Sequence, residues 1–600
     1  MSPTLTEPQF LILDALRAEG TPLTQRALQA RTCLSLGTVN TNVRELEAFG
    51  LVKDRALTDA GREALAPYRV DNAVILAAGL SSRFAPISYE RPKGTLRVRG
   101  EVLIERQIEQ LREAGITDIT VVVGYMKEYF LYLIDRYGVD VVVNREYASR
   151  NNNGSVWRVR DRLANTYVCS SDDYFTQNPF ERYVYGAYYA CERVEGHTDE
   201  WCVSTGAAGR ITGISVGGTN ALVMLGHAYF DQAFSEGFVR ALEQDYNRPE
   251  TADKLWEGIY ADHLRELSMV AREYPAGVIN EFDSLDQLRS FDPRFMENVD
   301  SRIFDNIVSI LHCDKDDIHE FWPLKQGLTN LSCHFSVGEG TDKQEYVYRH
   351  PGVGTEKLVS RASEAAGLRL AKELGLDSTF IYEDEEHGWK LSRFVTNAKN
   401  LDSGNDDQLR RAMEMGRKLH ESGARLDRRF DFVLQGLEYE RLLLEGGPIE
   451  VPGYQELKDK VMRLKEHADA DGYPICVSHN DFFELNFLVD ENDAMSLIDW
   501  EYAGMSDVAS DYGTFVVCCQ LSDERAERAL EYYFGRPATA AERRHFWSYV
   551  VFAGWCWYLW SLEKESEGDN VGEWLFVYYR YAADNVDKVL SWYEEATQAD

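Results

Sequence analysis

Residues 76–93 read LAAGLSSRFAPISYERPK, and this stretch decides the fold of the middle of the chain. It ends the apolar run NAVILAAG (72–79), so a glycine-bearing loop leaves a buried strand. Such a loop lets backbone N–H groups approach a phosphate chain with no side chain in the way. Ala78 and Gly79 would therefore face a nucleotide. Arg83 and Lys93 supply fixed positive charge to phosphates that gain charge in the transition state. Pro86 and Pro92 stiffen the loop between them. Outward from the loop, DITVVVGY (118–125) and VDVVVN (139–144) alternate with the helical VLIERQIEQLREAG (102–115). Continuous Val/Ile strands are buried on both faces, which predicts a parallel sheet.

At 600 residues the chain is too long for one core. Changes in texture divide it into segments 1–69, 70–296 and 297–600. With 44% apolar and 27% charged residues it is an ordinary globular composition. A net charge of −35 argues against a general nucleic-acid binder and suits a cationic substrate. Ten scattered cysteines, none in CxxC spacing, read as reduced thiols. The amino terminus shows no basic region followed by an apolar run, so a cytoplasmic location is expected. Phe546–Leu562 (FWSYVVFAGWCWYLWSL) is almost wholly apolar, but 17 residues rich in Trp and Tyr predict a buried helix carrying a ligand pocket, with no membrane span.

The first segment reads as short helices and a small ribbon, the ingredients of a winged helix. LEAFGLVKDRALTDAGREAL (46–65) resembles the MarR-like winged-helix repressors. The resemblance would place the helix of residues 35–47 in a major groove, offering Thr38, Asn40, Thr41, Asn42 and Arg44. Seven Arg/Lys against eight Asp/Glu leave no general basic footprint, so DNA and protein partners both stay open.

AAG, Arg83 and Pro92-Lys93 at this spacing resemble the sugar-nucleotide pyrophosphorylase fold, and especially the bacterial CTP:phosphocholine cytidylyltransferases. The likeness spans residues 71–290, including PKGTLRVRGEVLIERQIEQLREAGI (92–116) and NNNGSVWRVRDRL (151–163). It implies CTP and phosphocholine as substrates and a Mg²⁺ ion held by Asp172 and Asp283, with Glu281 and Asp173 close by and Ser170 where the family often has another acid. It places Asn152 and Asn153 near the nucleotide. Aromatic faces attract a quaternary ammonium, and Tyr174, Trp201 and Trp256 fall in the family's pocket-forming segments.

The last segment carries HNDFFELNFL (479–488) and LIDWEY (497–502). Phosphoryl transfer needs a carboxylate for the attacking hydroxyl and two ligands for the metal around ATP. Asp481 fits the first role, Asn486 and Asp499 the second, and His479 buttresses the loop. This set resembles the choline kinase and aminoglycoside phosphotransferase superfamily. The resemblance implies a phosphate-facing hairpin with Gly327, Thr329 and Asn330, an Arg349–Glu364 pair steering ATP's phosphates, and a second Mg²⁺ centre. It also makes FAGWCWYLWSLEKES (552–566) the alcohol-pocket helix. Trp557 and Trp560 share one helix face there, with Glu501 adding charge.

The expected fold is therefore a winged helix, an α/β nucleotidyltransferase with a Rossmann-like mixed sheet, and a bilobal kinase-like domain. The expected function is phosphorylation of choline with ATP, then cytidylyl transfer from CTP. The same pair of reactions on another amino alcohol or a sugar is a second reading, and a winged-helix regulator with ligand-sensing domains is a third.

Overall fold

The computed structural model describes residues 4–325, 330–351, 361–566 and 571–599. The chain divides into two compact units, Met1–Ser309 with Asp314–Asp316, and Ile310–Cys313 with Asp317–Asp600.

The first unit opens with helices Glu7–Glu19, Gln25–Thr32 and Leu36–Ala48 and the ribbon Val52–Lys53/Ala56–Leu57. Thr24, Ser35 and Thr58 cap helices through their side chains, satisfying N–H groups that have no partner within the helix. Ile12, Leu13, Val39 and Leu46 form the small core. This winged helix is fastened to the larger sheet domain by aromatic packing. Tyr68 stacks on Tyr185 at 5.6 Å, the Tyr185 hydroxyl donates to the Leu5 carbonyl, and the Arg17 guanidinium lies over Tyr183.

The larger domain is built on a nine-stranded sheet. Asn72–Ala77 sits between Ile119–Val123 and Thr166–Ser170, parallel to both, and Asp140–Val143 continues the parallel set. Leu222–Phe230 then joins antiparallel and leads to a long hairpin, His197–Thr205/Ile211–Thr219. The sheet is thus mixed rather than wholly parallel. Its central strands are buried on both faces, as their Val/Ile runs require: Ile75, Val121, Val122 and Val123 are fully inaccessible. The helix Arg302–Leu311 closes this unit. Glu90 accepts from the backbone N–H groups of Arg302 and Ile303, and Ile303, Phe304 and Ile307 are buried.

The second unit has a five-stranded antiparallel sheet, in the order Ile318–Lys325, Asn330–Val337, Gln344–Pro351, Lys390–Arg393, Phe380–Glu383. The helix Arg361–Glu373 accompanies it. A helical lobe follows, organised by the 27-residue helix Ala540–Ser566. That helix is buried from His545 to Leu559 against helices Phe432–Gly446, Ser510–Cys518 and Trp574–Ala599. The apolar run of the sequence is therefore a core helix, and among the described residues no helix is long and apolar enough to cross a membrane.

Candidate active sites

The loop after Asn72–Ala77 opens into a cavity of about 500 Å³. Ala78, Gly79, Arg83 and Lys93 line it together with Asn152, Asp172, Glu281 and Asp283. The short antiparallel pair Asp173–Phe175/Ile279–Glu281, with Asp173 opposite Glu281, brings the two acidic segments side by side although about a hundred residues separate them. Asp172 and Asp283, paired by resemblance alone, thus face one cavity. Each carries a cation: Lys93 Nζ is 2.7 Å from Asp172, and Arg83 is 2.8 Å from Asp283. Lys93 is buried and Arg83 is exposed, so Lys93 is the more closely confined charge of the two.

The acids also act on one another. Burial, reinforced by neighbouring Asp172, pushes the Glu281 carboxyl up to about 8. Asp173 is fully buried, and burial, reinforced by Glu281, holds its carboxyl well above the usual range. An incoming cation would favour the ionised forms of these crowded carboxyls. Among the described residues no three such side chains are already gathered as a closed metal cage. Two carboxylates completed by phosphate oxygens and waters is the pattern Mg²⁺ favours, and Asp172 and Asp283 fit it.

The aromatic cage expected here is not a wall of this cavity. Tyr174 is buried, its hydroxyl donating to Glu101 and its ring under the Arg106 guanidinium. Trp256 is 3% exposed, stacked on Tyr189 and edge-on to Phe230. Trp201 packs half-buried against the same cluster from the hairpin. Core packing claims these rings. Asn153 is corrected as well: it is fully buried and its amide donates to the carbonyls of Thr251 and Lys254, tying down the loop that carries Asp253. Its neighbour Asn152 lines the cavity and accepts from the Trp256 N–H. Asn153→Ala is therefore expected to lower stability by about 1–3 kcal/mol, the cost of leaving buried carbonyls unpaired. Denaturant unfolding would show it, with the KM for nucleotide shifting less than kcat.

Sequence reasoning missed Glu257. It accepts from the Tyr189 hydroxyl and the Asn152 amide beside the cavity. Burial pushes its carboxyl up to about 7 despite those two donors. The folded state thus holds this proton more tightly than the unfolded chain does. The stability it contributes is complete below the ordinary value of 4.5 and is lost as pH rises through about 7. Thermal midpoints should fall from about pH 5 to about pH 8, and Glu257→Gln should flatten that slope. An unchanged slope would show that Glu257 takes no part.

In the second unit, Gly327 and Thr329 lie outside the described residues, and Asn330 opens the strand Asn330–Val337, its backbone paired with Pro351. Arg349 is buried between three acids. Its guanidinium is 2.5 Å from Glu364, 3.5 Å from Asp499 and 3.7 Å from Glu383. On the facing side Asn486 donates its amide to Asp481, both to the carboxylate at 2.7 Å and to the backbone carbonyl. Asp481, Asn486, Asp499, Arg349 and Glu364 thus form one electrostatic neighbourhood. The backbone here is held in unusual conformations: Asn480 and Asp499 both have φ of 66°. Such strain persists only where surroundings enforce it.

Around Asn480 the enforcing residue is Asp511, which sequence reasoning did not find. Its carboxylate accepts from the backbone N–H groups of His479 and Asn480 and pairs with His420. Burial opposes its ionisation, yet these partners hold Asp511 below the usual carboxylate range. Ser510 and Thr514 add hydrogen bonds to Asn480, and His479 Nε2 meets the Ile498 carbonyl, with burial keeping that imidazole below its ordinary pKa. The sole signal in the sequence was an acid opening the apolar helix SDYGTFVVC.

Glu501 lies in the same acidic neighbourhood, its carboxyl pushed up to about 8 by burial and by Asp499. Beyond it Tyr502 meets Trp557 edge-on at 5.8 Å, and Trp557 meets Trp560 edge-on at 6.2 Å. Trp557 is buried, its indole N–H without a partner among the described residues, while Trp560 is half-buried. Tyr502 thus links Glu501 in sequence to Trp557 and Trp560 in space.

Fold and sites together define a bifunctional transferase, a nucleotidyltransferase joined to a phosphotransferase behind a winged helix. Three family models match: winged helix-turn-helix DNA-binding over residues 5–53, MobA-like NTP transferase domain over 73–174, and phosphotransferase enzyme family over 322–546. The choline-phosphate cytidylyltransferase of Streptococcus pneumoniae is 35% identical over 220 residues, 37% of this chain and 96% of that protein. The 2-aminoethylphosphonate cytidylyltransferase of Lancefieldella rimae is 33% identical over 225 residues, 37% of this chain and 92% of that protein. The solved structure of choline kinase LicA from Streptococcus pneumoniae aligns with 24% identity and a TM-score of 0.41, covering 48% of this chain and 98% of that one. The chain belongs to the nucleotidyltransferase family of these two cytidylyltransferases.

Proposed function

We propose that this enzyme makes CDP-choline. The carboxyl-terminal domain (297–600) transfers the γ-phosphoryl of ATP to choline. The domain at 70–296 then joins the phosphocholine to the cytidylyl group of CTP and releases pyrophosphate. The observation that carries the reading is the presence, in one chain, of a phosphoryl-transfer site and a cytidylyltransferase whose relative acts on choline-phosphate. A relative acting on 2-aminoethylphosphonate offers a second substrate. A carbon–phosphorus bond is not made by phosphorylating an alcohol, however, so the kinase domain favours a phosphomonoester.

In the first domain the backbone at Ala78–Gly79 and the side chains of Lys93 and Arg83 hold the triphosphate and offset the charge that grows on the α-phosphoryl group. Asp172 and Asp283 would hold Mg²⁺, which when bound supplies Lewis-acid polarisation of the phosphates. In the second domain Asp481 orients the choline hydroxyl and accepts its proton, Arg349 steadies ATP's phosphates, and Asn486 and Asp499 would hold Mg²⁺ there. Tyr502, Trp557 and Trp560 present ring faces and edges near Glu501, a setting suited to a trimethylammonium group. The ten free thiols and the nucleotide substrates fit the cytoplasm. The winged helix offers Thr38, Asn40, Thr41, Asn42 and Arg44 to a DNA or protein partner.

The test is mass analysis of products from choline, ATP, CTP and Mg²⁺. CDP-choline with equimolar pyrophosphate is expected. Turnover of sugar-1-phosphates without any of choline would sink the reading.

A further inference from the structure

Across Asp511 from the catalytic loop lies a second cavity, of about 490 Å³, that neither reaction uses. We propose that it binds a planar aromatic ring bearing an anionic group, a nucleotide in its simplest form, and that the occupant acts on the phosphotransferase through His420.

The volume is that of an ordinary small-molecule site. Its walls are aromatic and built in layers. Tyr473 lines it, half-buried and backed by His545 stacked at 4.0 Å. Phe534 lines it too, half-buried and supported edge-on by Tyr533 and Phe546. Rings held rigidly and left partly open are platforms on which a base can stack at little entropic cost. Two cations stand at the same cavity. Arg417 donates to the Tyr533 carbonyl at 3.1 Å, and among the described residues Arg425, which is exposed, has no carboxylate partner. Glu421 offsets one of the two charges, leaving a net positive mouth on a chain whose overall charge is −35. A neutral apolar ligand would leave that arginine unused, whereas a phosphate on the ring would pair with it.

The floor is wired to the reaction. His420 lines the cavity and shares one ring nitrogen with the Tyr533 hydroxyl at 2.8 Å and the other with Asp511 at 2.9 Å. Asp511 in turn holds the N–H groups of His479 and Asn480, immediately before Asp481. A ligand that turns the His420 ring therefore disturbs, two hydrogen bonds away, the strained backbone that aims Asp481.

Hydrogen exchange on the full-length protein tests this, with the kinase site filled by a non-hydrolysable ATP analogue and CMP or AMP as probe. Slower exchange is expected in segments 417–425 and 473–478, with a linked change in 479–486. Two variants should abolish it: Ala424→Trp, which fills the cavity, and Arg425→Ala, which removes an exposed charge. Both should phosphorylate choline at the wild-type rate without probe. Added to wild-type enzyme at saturating ATP and choline, the probe should lower kcat about fivefold, the low end of common site-to-site coupling. No protection with either probe, protection that survives both variants, or protection without any effect on kcat would each overturn the proposal.

Discussion

Asp481→Ala is expected to lower choline phosphorylation by about 10³-fold, within the range that a positioned acid–base group contributes, while conversion of supplied phosphocholine to CDP-choline proceeds at the wild-type rate. Asp481 sits 2.7 Å from the Asn486 amide, in a loop whose neighbour Asn480 is held at φ 66°. That geometry fixes the carboxylate where an alcohol can be oriented and deprotonated, and among the described residues Asn486 holds no other acid this way. Asp481→Asn keeps the hydrogen-bonding shape and loses the charge, so it should be impaired to a similar degree. Asp511→Asn should be milder in chemistry and costlier in stability, since it touches the loop's backbone rather than the substrate. Separate assays with choline plus ATP and with phosphocholine plus CTP read the two halves apart. If Asp481→Ala kept more than about a tenth of its phosphorylation rate, the base would have to be sought elsewhere.

The sequence disclosed the sites unevenly, and the reason is physical. Backbone-driven features were legible: the loop at Ala78–Gly79 follows from where a glycine falls after a buried strand, and the spacing of Asp481, Asn486 and Asp499 is local. Contacts made across long separations were not legible. Trp201 and Trp256 look alike in sequence to Trp557 and Trp560, yet the first pair packs with the core cluster beside the hairpin while Trp557 of the second meets Tyr502, the neighbour of Glu501. Aromatic composition reports burial, and only the fold says which buried ring borders a cavity. Asn153 was misread for the same cause. One residue's shift at the start of the short helix Asn153–Arg158 turns its amide to the carbonyls of Thr251 and Lys254 and leaves Asn152 lining the cavity with Ala78 and Gly79. Asp511 and Glu257 escaped because a lone acid in an apolar stretch carries no spacing signal.

Lys93→Ala is expected to produce the converse defect, a loss of about 10²–10³-fold in cytidylyl transfer, with choline phosphorylation untouched. Lys93 is the one buried cation among the groups that line the cavity, held 2.7 Å from Asp172 and 4.7 Å over the Phe84 ring. Its removal subtracts fixed positive charge from a place where Asp172, Asp173, Glu281 and Asp283 already crowd together. Two consequences follow from that charge balance. The developing charge on the α-phosphoryl group loses its stabilising partner, so kcat falls more than affinity for CTP. The acids repel one another more strongly, so the Glu281 carboxyl, already at about 8, rises further and the site binds a proton more readily. Lys93→Arg should recover only part of the rate, because a planar guanidinium does not reproduce the contacts of a compact ammonium with Asp172 and the Phe84 ring. Given choline, ATP and CTP together, Lys93→Ala enzyme should therefore accumulate phosphocholine, and pyrophosphate release measured against phosphocholine concentration would show the fall in kcat. Arg83→Ala, which removes an exposed charge from beside Asp283, should cost less than Lys93→Ala; the opposite order would show that the triphosphate is gripped by the loop's outer arginine instead of the buried lysine.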